Sequence, residues 1–384
     1  MLPLTTPLNW QRVRLGDIAE IKRGASPRPI ENPKWFCTNS NVGWVRISDI
    51  SKNSRFLYKT AQKLSKKGIE KSRLVKQNSL IMSMCATIGK PIITKIDTCI
   101  HDGFVVFENP KIDLNYLYYF LCYIEKEWLE SGQQGSQVNL NVDLIKNKEV
   151  FYPKDLNEQI AIANILSDLD CYLCALRALI LKKEGVKKAL SFELLSQRKR
   201  LKGFNQAWQR VRLGDILSYE QPTKYLVATT QYLQKGFTPI LTAGKTFILG
   251  YTNDKHGIYT NIPVIIFDDF TTDSKMVNFS FKVKSSAIKI LSLRDNNQAD
   301  LKYIYEKLTL LKHQVTDHKR YWIDEFSNFE IPLPPLNEQI AIANILSALD
   351  NEITSLKNKK RQFENIKKAL NHDLMSAKIR VLKK

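Results

Sequence analysis

The sequence predicts a mixed α/β (α+β) fold in which two globular domains are separated by two long helices that form an antiparallel coiled coil, with an internal pseudo-two-fold repeat. Two observations predict it. The segment LNEQIAIANILSDLD at 156–170 recurs as LNEQIAIANILSALD at 336–350, identical at 14 of 15 positions. The segment WQRVRLGDI at 10–18 recurs unchanged at 208–216. The chain therefore contains two copies of one unit, each a globular segment followed by a helical one.

The two globular segments differ in length and sequence. The offset between copies is 198 residues for the first motif and 180 for the second, so the first segment is 18 residues longer. Short β-rich runs bounded by Gly, Asn, Asp or Pro predict strands in both segments. These runs are GWVRISDI (43–50), SLIMSMCATIG (79–89), PIITKI (91–96), FVVF (104–107), PVIIF (263–267) and SSAIKIL (285–291). Helices are expected at 114–130 and 301–312, which makes each segment a mixed α/β or α+β domain.

Each helical segment carries an apolar stripe with a mean spacing of about 3.6 residues, which is typical of a coiled-coil seam. The predicted seam residues are Ile162, Leu166, Leu169, Leu173, Leu176, Ile180, Leu190, Ile342, Leu346, Leu349, Ile353, Leu356, Phe363 and Leu370, with Val186 and Ile366 continuing the two stripes. Two such helices in one chain pack most simply on each other in antiparallel fashion, and the alternative is that each covers the sheet of its own domain. Asn157 and Asn337 are the expected N-caps.

These elements divide the chain into four parts. Residues 1–155 form the first globular domain and 156–202 the first long helix with its linker. Residues 203–335 form the second globular domain and 336–384 the second long helix.

The charge of the chain favours a polyanionic partner. There are 58 Lys and Arg against 38 Asp and Glu, a net charge of +20, and an excess of this size is typical of nucleic-acid binding. Solubility alone is the alternative. The excess is +7 over 19–150 and +2 over 217–331, so the two domains are not expected to bind identically.

No cofactor, metal or membrane site is predicted. No apolar run approaches the roughly 18 residues that cross a bilayer, and the amino terminus lacks the apolar core of a signal peptide, so a cytoplasmic location is expected. Cys171 and Cys174 form a CxxC pair, but the second copy has Asn351 and Thr354 there, and the histidines are scattered.

In order along the chain, its motifs resemble those of the specificity (S) subunits of type I restriction-modification systems. The matching segments are W-x-x-V-x-L-G-D-I at Trp10 and Trp208, ATIGK at 86–90, GxxGSQVNLN at 132–141, PVIIFDDFT at 263–271 with KSSA at 284–287, and IPLPPLNEQ at 331–339. The first copy departs from the closing motif, with Lys154 and Asp155 in FYPKDLNEQ. The resemblance covers essentially the whole chain.

The resemblance implies two target-recognition domains, each of which reads one half of a bipartite, asymmetric sequence in double-stranded DNA. The helices would set the gap and dock two methyltransferase (modification) subunits, and restriction and motor subunits would complete the complex. The chain itself would be non-catalytic. In agreement, it has no Asn- or Asp-Pro-Pro-aromatic tetrad and no glycine-rich fingerprint for S-adenosylmethionine. Gly244-Lys245-Thr246 ends like a P-loop, but Pro239 replaces the required earlier glycine.

DNA contacts are expected to divide into phosphate positioning and base reading. The phosphate candidates are Lys52, Arg55, Lys59, Lys63, Lys66, Lys67, Lys71 and Arg73, with Lys90 and Lys245 in turns. The base-reading candidates are Arg46, Gln133, Gln134 and Gln137 in the first domain and Asn253, Lys255, His256, Lys275, Arg320 and Tyr321 in the second. A merely solvated face and ordinary turn residues are the alternatives. Glu158, Gln159, Glu338 and Gln339, taken as exposed, are the partner-binding candidates.

Two other functions fit the same features. The chain could be a basic coiled-coil adaptor or structural protein, or an orphan DNA-binding protein without partner subunits. Binding to duplex DNA with a steep salt dependence would separate a DNA-binding module from an adaptor, because phosphate contacts release counterions.

Overall fold

The computed structural model describes residues 9–52, 55–131, 140–228, 231–243, 246–311 and 320–381. It divides into two compact units. The first comprises Met1–Arg177 with Lys359–Lys384, and the second comprises Ala178–Asn358. Each unit therefore contains one globular domain and parts of both long helices.

The first domain is a mixed α/β structure. Its strands are β1 (Trp10–Arg14), β2 (Glu20–Arg23), β3 (Gly43–Val45), β4 (Phe56–Leu57), β5 (Gln62–Lys63), β6 (Arg73–Val75), β7 (Leu80–Ser83), β8 (Pro91–Thr94), β9 (Thr98–Ile100), β10 (Phe104–Glu108) and β11 (Glu149–Pro153). Its helices are α1 (Leu15–Ile18), α2 (Ile47–Lys52), α3 (Lys66–Glu70), α4 (Leu114–Tyr123), α5 (Glu125–Ser131) and α6 (Val142–Asn147), and the chain then enters the long helix α7 (Leu156–Leu195).

The second domain repeats this plan with fewer elements. Its strands are β12 (Gln209–Arg212), β13 (Leu217–Glu220), β14 (Thr238–Leu241), β15 (Ile248–Thr252), β16 (Val264–Asp268), β17 (Ser274–Val277), β18 (Lys282–Val283), β19 (Ile288–Leu293) and β20 (Glu330–Leu333). Its helices are α8 (Leu213–Ile216), α9 (Leu301–Leu310) and α10 (Tyr321–Asp324), and the long helix α11 (Leu336–Met375) follows.

Each domain is built around a central sheet. One face of this sheet packs against helices and the other against a second sheet. In the first unit the sheets have the orders β2-β10-β7-β8-β4 and β5-β3-β9-β6, and in the second β13-β19-β16-β17 and β15-β14-β18. Side chains alternate along a strand. Accordingly, Val105 and Phe107 of β10 enter the core beneath α4, whereas Val106 enters the core between the sheets. Ile265 and Ile266 of β16 divide in the same way.

The long helices run antiparallel within each unit, as predicted. In the first unit Lys367 of α11 binds Asp170 of α7 (Nζ–Oδ1 2.5 Å). About two turns further along α7, Arg177 contacts Glu364 of α11. In the second, Lys187 binds Asp350 (Nζ–Oδ1 2.6 Å) while Lys183 binds Glu352 (2.8 Å). Partner numbers fall as residue numbers rise, which defines the antiparallel direction.

Most seam predictions agree with the burial. The buried members are Ile162, Leu166, Leu173, Leu176, Ile180, Ile342, Leu346 and Ile353, and the half-buried ones are Leu169, Leu190, Leu349, Leu356, Phe363 and Leu370. Four of the buried ones, Ile162, Leu166, Ile342 and Leu346, join the cores of the globular domains, as the alternative expects. The continuation through Val186 and Ile366 is wrong, since both are exposed. The stripe instead passes through Lys187 and Lys367, whose ammonium groups find carboxylates while their methylene stems pack.

Two local expectations were also wrong. Both long helices begin one residue before the predicted caps. Asp155 receives the Asn157 N–H (2.9 Å), and the residue preceding α11 is Pro335. The run 43–50 is only partly a strand, because the Asp49 carboxylate accepts the Arg46 N–H (2.9 Å) and starts the α2 turn.

A buried glutamate joins each domain to the long helices. In the first unit Glu158, in the first turn of α7, accepts hydrogen bonds from Trp10 Nε1 (3.3 Å) and Asn9 Nδ2 (3.0 Å), and Arg380, which follows α11, approaches it. Strand pairing places the tryptophan there, because Trp10 lies opposite Pro153, just before α7.

The second unit has the same arrangement around Glu338. Its carboxylate accepts Trp208 Nε1 (3.0 Å) and a two-point hydrogen bond from Arg200, with Nε at 3.2 Å and Nη2 at 2.6 Å. Arg200 and Arg380 occupy equivalent positions after their helices. Within each unit, the arginine after one long helix thus meets the glutamate that starts the other.

The glutamine that follows each glutamate completes the junction. Gln159 accepts the N–H of Asp113, the N-cap of α4, at 2.8 Å and donates to the Pro153 carbonyl at 2.8 Å. Gln339 does the same with Asp300 (2.9 Å) and Pro334 (2.8 Å). We call Glu158 with Gln159 and Glu338 with Gln339 the Glu-Gln junctions.

Truncation inside the seam should destabilise the protein far more than the same truncation outside it. Leu166 is fully buried in the first-unit core, whereas Leu181 on the same helix is 65% exposed. We expect Leu166→Ala to lower the free energy of unfolding by about 2–5 kcal/mol because it removes buried methyl groups and leaves a cavity. Leu181→Ala should change it by less than about 0.5 kcal/mol. Urea unfolding of both variants measures the difference, and equal losses would contradict the assignment of Leu166 to the buried stripe of α7.

The Glu-Gln junction should be more sensitive than a surface ion pair. Glu338→Gln removes the charge that compensates Arg200, and breaking a buried pair in this way is strongly destabilising. We expect the thermal unfolding midpoint to fall by about 5 °C or more. The matched control is Glu184→Gln, which removes only the solvent-exposed pair with Lys357 and should shift the midpoint by about 2 °C or less. Similar shifts in scanning calorimetry would show that the junction is not a special contact.

Candidate nucleic-acid interface

Basic side chains of the first domain gather on its second sheet. Lys63 lies on β5 and Arg73 on β6 of the sheet β5-β3-β9-β6, and Arg46 directly follows β3 of that sheet. The exposed lysines Lys66, Lys67 and Lys71 lie on or directly after α3, which follows β5, and exposed Lys52 and Lys59 lie on α2 and after β4. The fold therefore brings most of the predicted phosphate candidates onto one sheet and its flanking helices.

Arg55 does not belong to this surface. It is 7% exposed, and its guanidinium donates to Ser167 Oγ of α7 and Asn115 Oδ1 of α4, both at 2.5 Å. It also lies over the rings of Phe56 and Tyr119. The prediction that it contacts phosphate is wrong, because this arginine packs the domain against the long helix.

Two exposed arginines that were not among the predicted candidates lie beside the sheet β5-β3-β9-β6, because both bond Asp102 in the turn after β9. Arg23 ends β2 and donates from Nε to the carbonyl of Asp102 (2.7 Å), and Arg28 donates from Nη2 to the Asp102 carboxylate (2.8 Å). The only sequence signal was the run KRGASPRP, in which arginines alternate with turn-forming residues.

The turn that carries Asp102 closes a small cavity of about 330 Å³ lined by Arg23, Met84, Cys85, His101, Asp102, Gly103 and Leu140. Burial lowers the pKa of His101, and the positive charge of Arg46 adds to this effect while Asp102 opposes it. Burial also raises the pKa of the Cys85 thiol. Both groups are thus held in their neutral forms near pH 7, and the charged side chains that line the cavity are those of Arg23 and Asp102.

The candidates of the second domain are more dispersed. Asn253, Lys255 and His256 are exposed in the loop after β15, and Lys275 lies on β17 with its ammonium 5.1 Å from the Phe247 ring. Arg320 is exposed and pairs with Asp324 at 3.7 Å. Tyr321 is 1% exposed inside the core, so its selection as a base-reading residue is wrong.

In the first domain, Lys90 is half-buried after the turn 86–89. Gln133, Gln134, Gln137 and Lys245 lie outside the described residues.

The four partner-binding candidates were wrongly taken as exposed. Glu158 and Gln159 are 8% and 3% exposed, and Glu338 and Gln339 are both fully buried. All four are consumed by the Glu-Gln junctions, where their polar atoms satisfy backbone, indole and guanidinium donors. They are therefore unavailable as a surface for another subunit.

Across the described ranges, no three His, Cys, Asp or Glu side chains are grouped so that they could hold a metal ion. None of the helices in the described part of the chain is both long and apolar enough to cross a membrane.

Comparison with known proteins places this architecture. Residues 7–183 and 205–365 match the family model of the type I restriction modification DNA specificity domain. The chain is 47% identical over 180 residues to the specificity subunit of the type I restriction enzyme EcoR124I/EcoR124II of Escherichia coli, a match that covers 43% of this chain and 44% of that protein. It is 25% identical over 414 residues to the putative type I restriction enzyme MjaX specificity subunit of Methanocaldococcus jannaschii, with 98% and 95% covered.

The fold is also that of solved proteins. The crystal structure of the S subunit of a type I restriction-modification system from M. genitalium superimposes with a TM-score of 0.65 at 16% identity, covering 97% of this chain and 98% of that one. A chain from a study of complex assembly in the type I R-M system superimposes with a TM-score of 0.58 at 14% identity, covering 97% and 99%. With the family model matched by both repeats, the chain belongs to the family of type I restriction-modification DNA specificity subunits, as its motifs predicted.

Proposed function

We propose that this chain is the DNA sequence-specificity subunit of a type I restriction-modification complex and that it performs no catalysis of its own. Each globular domain reads one half of a bipartite, asymmetric target in double-stranded DNA. The modules are 1–155 and 203–335 for recognition and 156–202 and 336–384 for the helices and linker. The complex acts in the cytoplasm.

One observation carries the proposal. The parts of the two repeats that make the Glu-Gln junctions are nearly identical, while the sheets and loops between them differ in length and sequence. A protein that presents two different readers on one constant frame needs this combination. The net charge of +20 and the basic sheet of the first domain supply the attraction to phosphate.

The long helices supply the constant part of the complex. We propose that they set the gap between the two halves of the target and dock two methyltransferase subunits, with restriction and motor subunits joining the complete enzyme. Because the Glu-Gln junctions are internal, the docking surface consists of side chains on the outward faces of α7 and α11. Exposed apolar residues there include Leu181 and Phe192.

Binding to duplex DNA should show a steep dependence on salt, and the lysines on and directly after α3 should account for part of it. Each phosphate contact contributes about 0.9 to the slope of log K against log salt. We expect the triple variant Lys66→Gln, Lys67→Gln, Lys71→Gln to lower the slope by about 2–3 and to weaken all sequences alike. The control is Lys182→Gln, Lys188→Gln, Lys368→Gln, three exposed lysines of the long helices. If the wild-type complex bound duplex DNA with no dependence on salt, the adaptor function would be favoured instead.

Exchange of one domain should alter one half of the target only. We expect replacement of residues 217–331 by the corresponding domain of another family member to change one half-site and to leave the other half-site and the gap unaltered. Replacement of 19–150 is the matched experiment and should change the opposite half. Methylation mapping of complexes reconstituted with methyltransferase subunits reads out both. A change in both halves after a single exchange would mean that the domains read jointly.

A further inference from the structure

Two exposed arginines of the first domain are each held by a hydrogen bond from Nε. Arg23 donates from Nε to the Asp102 carbonyl at 2.7 Å, and Arg46 donates from Nε to the Gln62 side-chain amide oxygen at 2.7 Å. Both acceptors are neutral, and no ion pair of either arginine is found among the described residues. Their positive charges are therefore held in place without being neutralised.

The supports of both arginines are rigid. Gln62 lies on β5 directly opposite Trp44 of β3, and the Arg46 N–H is fixed by the Asp49 carboxylate. The Asp102 turn is fixed by Ser26 Oγ and Arg28 Nη2, each 2.8 Å from a carboxylate oxygen.

Close backbone packing locks β2 onto that turn. A Cβ atom at Gly24 would lie 2.1 Å from the His101 carbonyl oxygen, so only glycine permits this approach. The Arg23 carbonyl in turn accepts a hydrogen bond from Arg73 Nε (2.5 Å). The backbone at Arg23 is therefore fixed by two contacts, the close approach of Gly24 to the His101 carbonyl and the hydrogen bond from Arg73.

Both guanidinium groups lie around the same feature. Arg23 lines the cavity closed by His101, Asp102 and Gly103, and Arg46 follows Val45, which pairs with Ile100 next to His101. Two neighbouring arginines are used differently, because Arg55 is buried with both Nη atoms bonded and Arg28 bonds a carboxylate through Nη2. Arg73 shares the Nε anchor but is only half-exposed.

Anchoring through Nε has a chemical consequence. The two Nη atoms of a guanidinium match the O6 and N7 acceptors that guanine presents in the major groove, and this is the commonest base-specific contact of proteins with DNA. An arginine held by Nε leaves that pair of donors available to a base and loses less side-chain entropy on binding. We propose that Arg23 and Arg46 are base-reading residues of the first domain, each of which recognises a guanine in the first half of the target. The assignment rests on the proposed function and deepens it.

The experiment compares Arg46→Lys and Arg23→Lys with the wild-type chain in the complex with its methyltransferase subunits. Lysine keeps the charge but presents a single point donor, so a phosphate contact survives the change and a bidentate guanine contact does not. The readout is binding to a duplex library randomised in the first half-site. We expect each variant to lose about 10-fold or more of the preference for guanine at one position, with the second half-site read as before.

Gln62→Ala tests the anchor. Gln62 is a positioning residue, so its removal should weaken the guanine preference at the Arg46 position only, by less than Arg46→Lys does. The matched control is Arg294→Lys in the second domain, an exposed arginine whose Nε is also anchored on a backbone carbonyl, that of Gly214 (2.9 Å). This control should leave the first half-site preference unchanged.

Other results would overturn the assignment. Wild-type preferences retained in both lysine variants, or a loss of affinity in both that is equal for all sequences, would show that Arg23 and Arg46 do not read bases. A wild-type complex without any sequence preference would overturn the proposed function and this assignment together. Because both side chains are exposed, unchanged thermal unfolding of the variants confirms that the domain is intact.

Discussion

The structure depends on a buried carboxylate in the first turn of each long helix. Glu338 sits at zero exposure between the indole N–H of Trp208 and the guanidinium of Arg200. A buried charge is costly unless it is paired and hydrogen-bonded. The three elements that carry these groups must therefore be in contact in the folded protein. They are the first strand of the domain, the start of one long helix and the segment that follows the other.

This constraint explains why the two repeated motifs occur together, since both contribute residues to the contacts around each Glu-Gln junction. The first motif contributes the tryptophan, the second contributes the glutamate and glutamine, and antiparallel pairing of β1 with β11 and of β12 with β20 brings them side by side. The segments between the two motifs form hydrogen bonds with the Glu-Gln junctions at the N-cap residues of α4 and α9 and, in the second unit, at the Gln298 carbonyl (3.1 Å). Their loops can therefore change without disturbing the frame, which is what a family of readers with different targets requires.

The features that could be predicted from the sequence are those that local periodicity determines. The apolar stripe, the strands and the antiparallel helices follow from side-chain spacing, and the internal repeat identified the family. Prediction failed where a polar residue is placed by distant parts of the chain. Glu158 and Arg55 are charged residues in polar surroundings of the sequence, and their partners Trp10 and Ser167 lie 148 and 112 residues away. Arg23 was missed for the same reason, since its anchor at Asp102 is 79 residues distant.

The seam shows how the two repeats have diverged while keeping one geometry. At equivalent positions the first unit pairs the rings of Tyr172 and Phe363, with centroids 4.7 Å apart, and the second pairs Glu352 with Lys183. An aromatic pair and an ion pair are each self-consistent, but an exchange of partners would set Glu352 against an aromatic ring. Complementary pairs of this kind favour the chosen partner and disfavour the alternative. The two helices are therefore matched to each other, and the two different readers stay joined in a defined pair.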